Sequence, residues 1–238
     1  VAGPDADALR AYAALPPTPD ADTAARRALA AAEAAVRSGT EAATGEPEGT
    51  CGTGNDLLLA RTLRLRGQSL HGLGRDAEAV AALEQAGAHA ERVGWRTFAT
   101  EAYGEAAAVA TTSGAMDPAA RCLERVVAIS RARQDARGEA SGLTRLGWVR
   151  QRQGDLYGAL DALRRALAIR ERGGDPKALA ATLRTIGLVH EEMGALSEAR
   201  EEQARALALS DAAGDASGSA SALGNLGGIA WRTGEYAV

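Results

Sequence analysis

Glycine recurs at Gly74, Gly114, Gly154, Gly194 and Gly234, forty residues apart each time. Nothing else in the chain limits its fold as strongly, because a fixed period of this length marks an array of identical supersecondary units, each burying its apolar face against the next. Three more columns keep the same step. Gly67, Ala107, Gly147, Gly187 and Gly227 lie seven residues ahead of the first series; Ala79, Ala119, Ala159 and Ala199 form another, and Ala86, Val126, Ala166 and Ala206 the last.

Each period reads as two helices. In the third, Leu143, Leu146 and Val149 lie on one stripe of a helix from about Arg137 to Arg152, Gly154-Asp155 interrupts it, and Leu156, Leu160, Leu163 and Leu167 carry a second helix to Arg172. Gly173-Gly174-Asp175-Pro176 closes the hairpin, with glycine suited to a left-handed cap and proline to the first turn of the next helix. About a quarter of the chain is alanine and aromatic residues are 3%, a helix former's vocabulary. Glycine inside a helix costs about 1 kcal/mol relative to alanine, so the Gly147 column needs a packing reason. A small residue lets a facing helix approach closely: Gly147 is expected to receive the other helix of its hairpin, and Ala159 and Ala166 the neighbouring repeat.

Composition removes several function classes. The net charge is −4 and Lys177 is the sole lysine, which gives no basic footprint for nucleic acid. No apolar run reaches the roughly 18 to 20 residues that span a bilayer, and the opening Val1-Ala2-Gly3-Pro4-Asp5 has no signal-peptide pattern. Cys51 and Cys122 show no disulfide or metal spacing, so a reducing, cytoplasmic compartment is expected. His190-Glu191-Glu192-Met193 lacks the second histidine of a zinc-protease helix, and "CGTGND" (51–56) lacks both the preceding strand and the following Lys-Ser/Thr of a phosphate loop, reading instead as a flexible connection. No catalytic, metal or cofactor site emerges, so the chain is expected not to be an enzyme.

Leu146-Gly147, Gly154-Asp155-Leu156, Ala159, Leu163 and Ala166 together resemble the tetratricopeptide repeat. Ile186-Gly187, Gly194, Leu196, Ala199 and Ala206 match it equally, as do Leu226-Gly227 and Gly234-Glu235-Tyr236. The first repeat has Asp76 where the family prefers an aromatic, and the second has Ala107 for glycine and Met116-Asp117-Pro118 at the start of its second helix. The forty-residue period makes this a variant with longer helices than the family's usual 34-residue unit. The resemblance covers 56–238 and implies an all-α, right-handed superhelix, an α-solenoid of stacked antiparallel hairpins at 56–95, 96–135, 136–175, 176–215 and an incomplete 216–238. Upstream, 23–55 reads as a degenerate repeat with a Gly-rich loop and 1–22 as a linker or capping segment. That layout is similar to the C-terminal repeat region of bacterial serine/threonine kinases.

The resemblance further implies a concave groove lined by the first helix of each hairpin, holding a protein or peptide ligand. The groove-facing columns correspond to Arg64, Gln68 and His71; Gly104, Ala108 and Thr111; Thr144, Trp148 and Gln151; Arg184, Leu188 and Glu191; and Asn225, Gly228 and Trp231. Trp148 and Trp231 are candidate anchors and Arg64 and Arg184 candidate carboxylate receptors. The two-Asn, two-Lys clamp of some family members is absent apart from Asn225. The expected function is a non-enzymatic binding module, the sensor or scaffold part of a larger bacterial signalling protein such as a kinase. The alternatives are a regulator switched by a signalling peptide, or the accessory repeats of an enzyme whose catalytic domain lies elsewhere. The half-covered fifth repeat, with Leu223, Leu226, Ile229 and Ala230 expected to pack backward, leaves two expectations: the sequence is a piece of a longer repeat protein, or another copy covers this end through self-association or helix exchange.

Overall fold

The computed structural model describes residues 52–235 and the isolated positions Thr23, Arg27, Ala30 and Ala34, all four helical. The expected linker at 1–22 and most of the expected degenerate repeat at 23–55, Cys51 included, lie outside the described residues. Among those described there are nine helices and no strand: α1 (Gly52–Gly72), α2 (Asp76–Arg92), α3 (Arg96–Thr112), α4 (Met116–Ala132), α5 (Ala136–Arg152), α6 (Leu156–Gly173), α7 (Pro176–Glu192), α8 (Leu196–Ala212) and α9 (Ala216–Thr233). The class is all-α, an α-solenoid. No helix of the described residues is long and apolar enough to cross a membrane. The "CGTGND" segment is not the expected loop, since α1 starts at Gly52. A tertiary tie to α2 offsets the poor helix propensity of glycine there: Asp56 Oδ1 meets His89 Nδ1 at 2.8 Å and Arg92 Nη2 at 3.2 Å.

The step between equivalent turns is half the period seen in the sequence. Left-handed residues fall at Gly74, Gly94, Gly114, Gln134, Gly154, Gly174, Gly194, Gly214 and Gly234, twenty residues apart. Most of these turns close alike: at the first, Gly74 N–H donates to the His71 carbonyl and Arg75 N–H to the Leu70 carbonyl, which satisfies the last carbonyls of the helix. The next helix begins two residues later, and Asp135, Asp155, Asp175 and Asp215 cap theirs by accepting from the N–H of Gly138, Gly158, Ala178 and Gly218, each worth about 1 kcal/mol. Gln134, at φ 57°, is the one non-glycine in the left-handed column. A side chain there crowds the carbonyl, so Gln134→Gly is expected to raise stability by about 0.5–1 kcal/mol in urea titration, with the extra chain entropy of glycine limiting the gain. A loss of stability would show that the Gln134 side chain makes a compensating contact.

The small-residue column is a set of seats. A Cβ built on Gly67 would lie 2.6 Å from Leu83 Cγ, one on Gly147 2.5 Å from Leu163 Cγ, and one on Gly87 2.8 Å from the Tyr103 ring. In each pair the incoming side chain lies sixteen residues after the seat, on the following helix. Leu83 and Leu163 fill their seats, and Leu63, Leu123, Leu143 and Leu183 are buried at the equivalent positions of other helices, a leucine series in which Tyr103 takes the Gly87 place. Gln203 interrupts it: fully buried, it donates from Nε2 to the Arg184 carbonyl at 2.9 Å and accepts from Asn225 Nδ2 at 3.2 Å.

Two compact units divide at Ile129/Ser130, within α4. In the first, α1, α2 and α3 stack in sequence. In the second, Ala159, Leu160, Leu163, Ile186 and Val189 form one cluster, and Ala180, Leu183, Ala206 and Ala222 another. The backward packing expected of α9 holds for Ile229, which is fully buried, but Leu223 is 55% exposed, and Leu226 and Ala230 are half-buried.

Candidate functional site

In the first unit, the groove-column residues of α1 are engaged with neighbouring side chains. Arg64 reaches across to α3, donating from Nη1 to Glu101 Oε2 at 2.8 Å and from Nε to Glu105 Oε1 at 3.0 Å, with its Nη2 also on Glu105. Its guanidinium stacks 5.0 Å from the Phe98 ring centroid. The Glu105 hydrogen bond, followed by the charges of Glu105 and Glu101, holds its pKa above the ordinary guanidinium value against the opposing effect of burial. Gln68 Nε2 donates to Glu105 Oε2 at 3.0 Å, and His71 Nδ1 lies 2.7 Å from Asp76 Oδ1. A cleft of about 270 Å³ remains, lined by Gln68, His71, Leu83, Glu105, Ala108 and Thr112. Arg64, named above as a carboxylate receptor, is therefore already occupied by two carboxylates of its own chain. Glu101 and Glu105 gave no signal in the sequence reading, because pairing across helices needs the register that only stacking supplies.

In the second unit α5, α7 and α9 are tied in order. Gln151 Nε2 donates to Glu192 Oε1 at 2.7 Å, and Arg232 Nη1 to Glu191 Oε1 at 2.9 Å. These ties use Gln151 and Glu191 structurally. Thr144 is satisfied within its helix, its hydroxyl donating to the Ala140 carbonyl at 2.9 Å, and Asn225 belongs to the buried Gln203 link. The remaining candidates stay open. Trp148 is 40% exposed, with the Arg152 guanidinium 5.6 Å from its ring centroid; Leu188 is 36% and Trp231 70% exposed. Arg184 is half-buried and makes no side-chain hydrogen bond or ion pair among the described residues.

Among the described residues no group of three or more His, Cys, Asp or Glu could hold a metal ion. Cys122 is a buried free thiol whose Sγ–H donates to Glu84 Oε1 at 3.2 Å; burial first and the Glu84 charge second push its pKa far above the usual thiol range, so it is not a poised nucleophile.

No protein-family model matches the chain, and no curated protein matches it by sequence. Solved structures do match. The apo form of RapI is similar over 98% of this chain and 66% of its own, with a TM-score of 0.67 at 12% identity. A putative kinesin light chain from Podosopora anserina with nearly identical TPR-like repeats is similar over 86% of this chain and 92% of its own, at TM-score 0.56 and 18% identity. BtubC from P. vanneervenii covers 90% of this chain and 94% of its own, at 0.54 and 17%. At these identities the likeness defines the fold: a helical-repeat protein of the tetratricopeptide type.

Proposed function

We propose that the chain is a non-enzymatic protein- or peptide-binding module, the sensor or scaffold part of a larger bacterial signalling protein such as a serine/threonine kinase, working in the cytoplasm. The observation that carries this reading is the exposure of Trp148, Leu188 and Trp231 on the tied helices α5, α7 and α9. Tryptophan is among the residues that most often anchor a protein interface. Arg64, Gln68 and His71 are assigned to the supporting face of the first unit, where their partners are internal. Affinity capture from the source organism, comparing the parent with Trp148→Ala/Trp231→Ala, tests the reading: a partner enriched by the parent is expected to fall at least about tenfold with the variant at unchanged helicity. Equal enrichment would remove the face from the proposal.

The open side of α9 is read with it as a surface for self-association. Nothing lies within 4 Å of a Cβ built on Gly224, Gly227 or Gly228, so a second copy could approach closely. Light scattering that stays monomeric across a dilution series would withdraw that part.

A further inference from the structure

We propose that Arg184 is the seat for an acidic side chain of the partner, an inference that rests on the binding-module reading and gives its face a ligand chemistry. The repeat supplies the template. Arg64 and Arg184 occupy the same position three forty-residue periods apart, and the same shift carries Glu101 to Ser221 and Glu105 to Asn225. At Arg64 two carboxylates, one turn apart on the neighbouring first helix of a hairpin, neutralise the guanidinium. At Arg184 both are replaced by uncharged residues, and the guanidinium has no hydrogen-bond or ion-pair partner among the described residues.

Neither the replaced pair nor the carboxylates at the end of α7 supply the missing charge. Ser221 Oγ donates to the Ser217 carbonyl at 2.8 Å, and Asn225 Nδ2 to Gln203, which itself holds the Arg184 carbonyl. Glu191 is engaged by Arg232 and Glu192 by Gln151. A half-buried cation without a counter-charge costs more than a paired one, and arginine presents a planar fork that fits a carboxylate through two parallel hydrogen bonds. Approach is clear: Gly224 and Gly228 place no side chain on α9, and Leu188, one turn from Arg184 on α7, offers exposed apolar surface beside the charge. Because the internal template is a side-chain carboxylate, the occupant is an internal Glu or Asp of the partner rather than a chain terminus.

The test uses capped peptides and the arginine Nε–H signals in ¹⁵N NMR. Acetyl-Ala-Leu-Glu-Ala-Leu-amide is expected to shift the Arg184 signal and leave that of Arg64 in place, binding roughly tenfold tighter than its Glu→Gln counterpart. Arg184→Gln should abolish the difference. Ser221→Glu, which restores the carboxylate that Glu101 supplies in the first unit and leaves the Asn225–Gln203 hydrogen bond in place, should melt no lower than the parent and lose the response to the peptide. The seat is wrong if the Glu and Gln peptides act alike, if neither acts up to about 10 mM, or if the rebuilt variant still responds. A Gln peptide with a free C-terminus that displaces the Glu peptide would overturn the side-chain assignment. Failure here with intact partner capture through Trp148 and Trp231 leaves the module reading standing; discrimination here without any captured partner removes that reading alone.

Discussion

Leu163→Ala is expected to destabilise the second unit by about 2–5 kcal/mol, and Gly147→Ala to destabilise it as well, although alanine is the better helix former. Leu163 is fully buried, and its Cγ lies 2.5 Å from where the Gly147 Cβ would sit, with the Ala159 carbonyl at 3.2 Å on the other side. The added methyl must displace the branch point of a packed side chain, a strain larger than the roughly 1 kcal/mol that helix propensity returns. The two changes relieve each other. Removing the leucine empties the space the methyl needs, so the double variant should be more stable than the sum of the singles by about 1–3 kcal/mol, read from urea midpoints at constant slope. Gly227→Ala supplies the contrast within the same column: nothing lies within 4 Å of its Cβ, and the substitution is expected to stabilise by about 0.5–1 kcal/mol. Additive effects at Gly147 and Leu163, or a loss at Gly227, would contradict the seat geometry.

Tyr103→Ala should cost the first unit about 3–5 kcal/mol, because its ring fills the Gly87 seat and is only 7% exposed. The hydroxyl adds a pH dependence. It donates to Glu91 Oε2 at 2.9 Å, and burial first, with the Glu91 hydrogen bond second, pushes its pKa up to about 12. In the unfolded chain a tyrosine titrates near pH 10. Between about 10 and about 12 the unfolded state therefore binds fewer protons than the folded one, and stability present below pH 10 falls as pH rises through this window. Tyr103→Phe should flatten that fall while keeping most of the packing. An unchanged alkaline profile in the phenylalanine variant would show that Tyr103 titrates normally.

The sequence by itself determined the helical hairpin, its forty-residue step and the role of the small-residue column, because turn glycines and close-approach positions are local demands that reappear in every repeat. Gly174 and Pro176 could be read as a cap and a first turn without knowing what they pack against, and Gly147 could be read as a contact point from its cost alone. The finer twenty-residue step was also present in Gly94, Gly174 and Gly214, but Gln134 breaks the series and the two helix types carry different residues at their other positions. The helical start at Gly52 needed the tie of Asp56 to His89 and Arg92, a contact thirty-odd residues away. The face was the least legible part. Arg64 and Arg184 hold the same place in the repeat, and only the stack shows that Arg64 is neutralised by Glu101 and Glu105, whereas Arg184 makes no ion pair among the described residues. Local periodicity fixes which side of a helix a residue lies on; whether its charge is already spent depends on side chains that reach it from another helix, and those distances exist only in the tertiary structure.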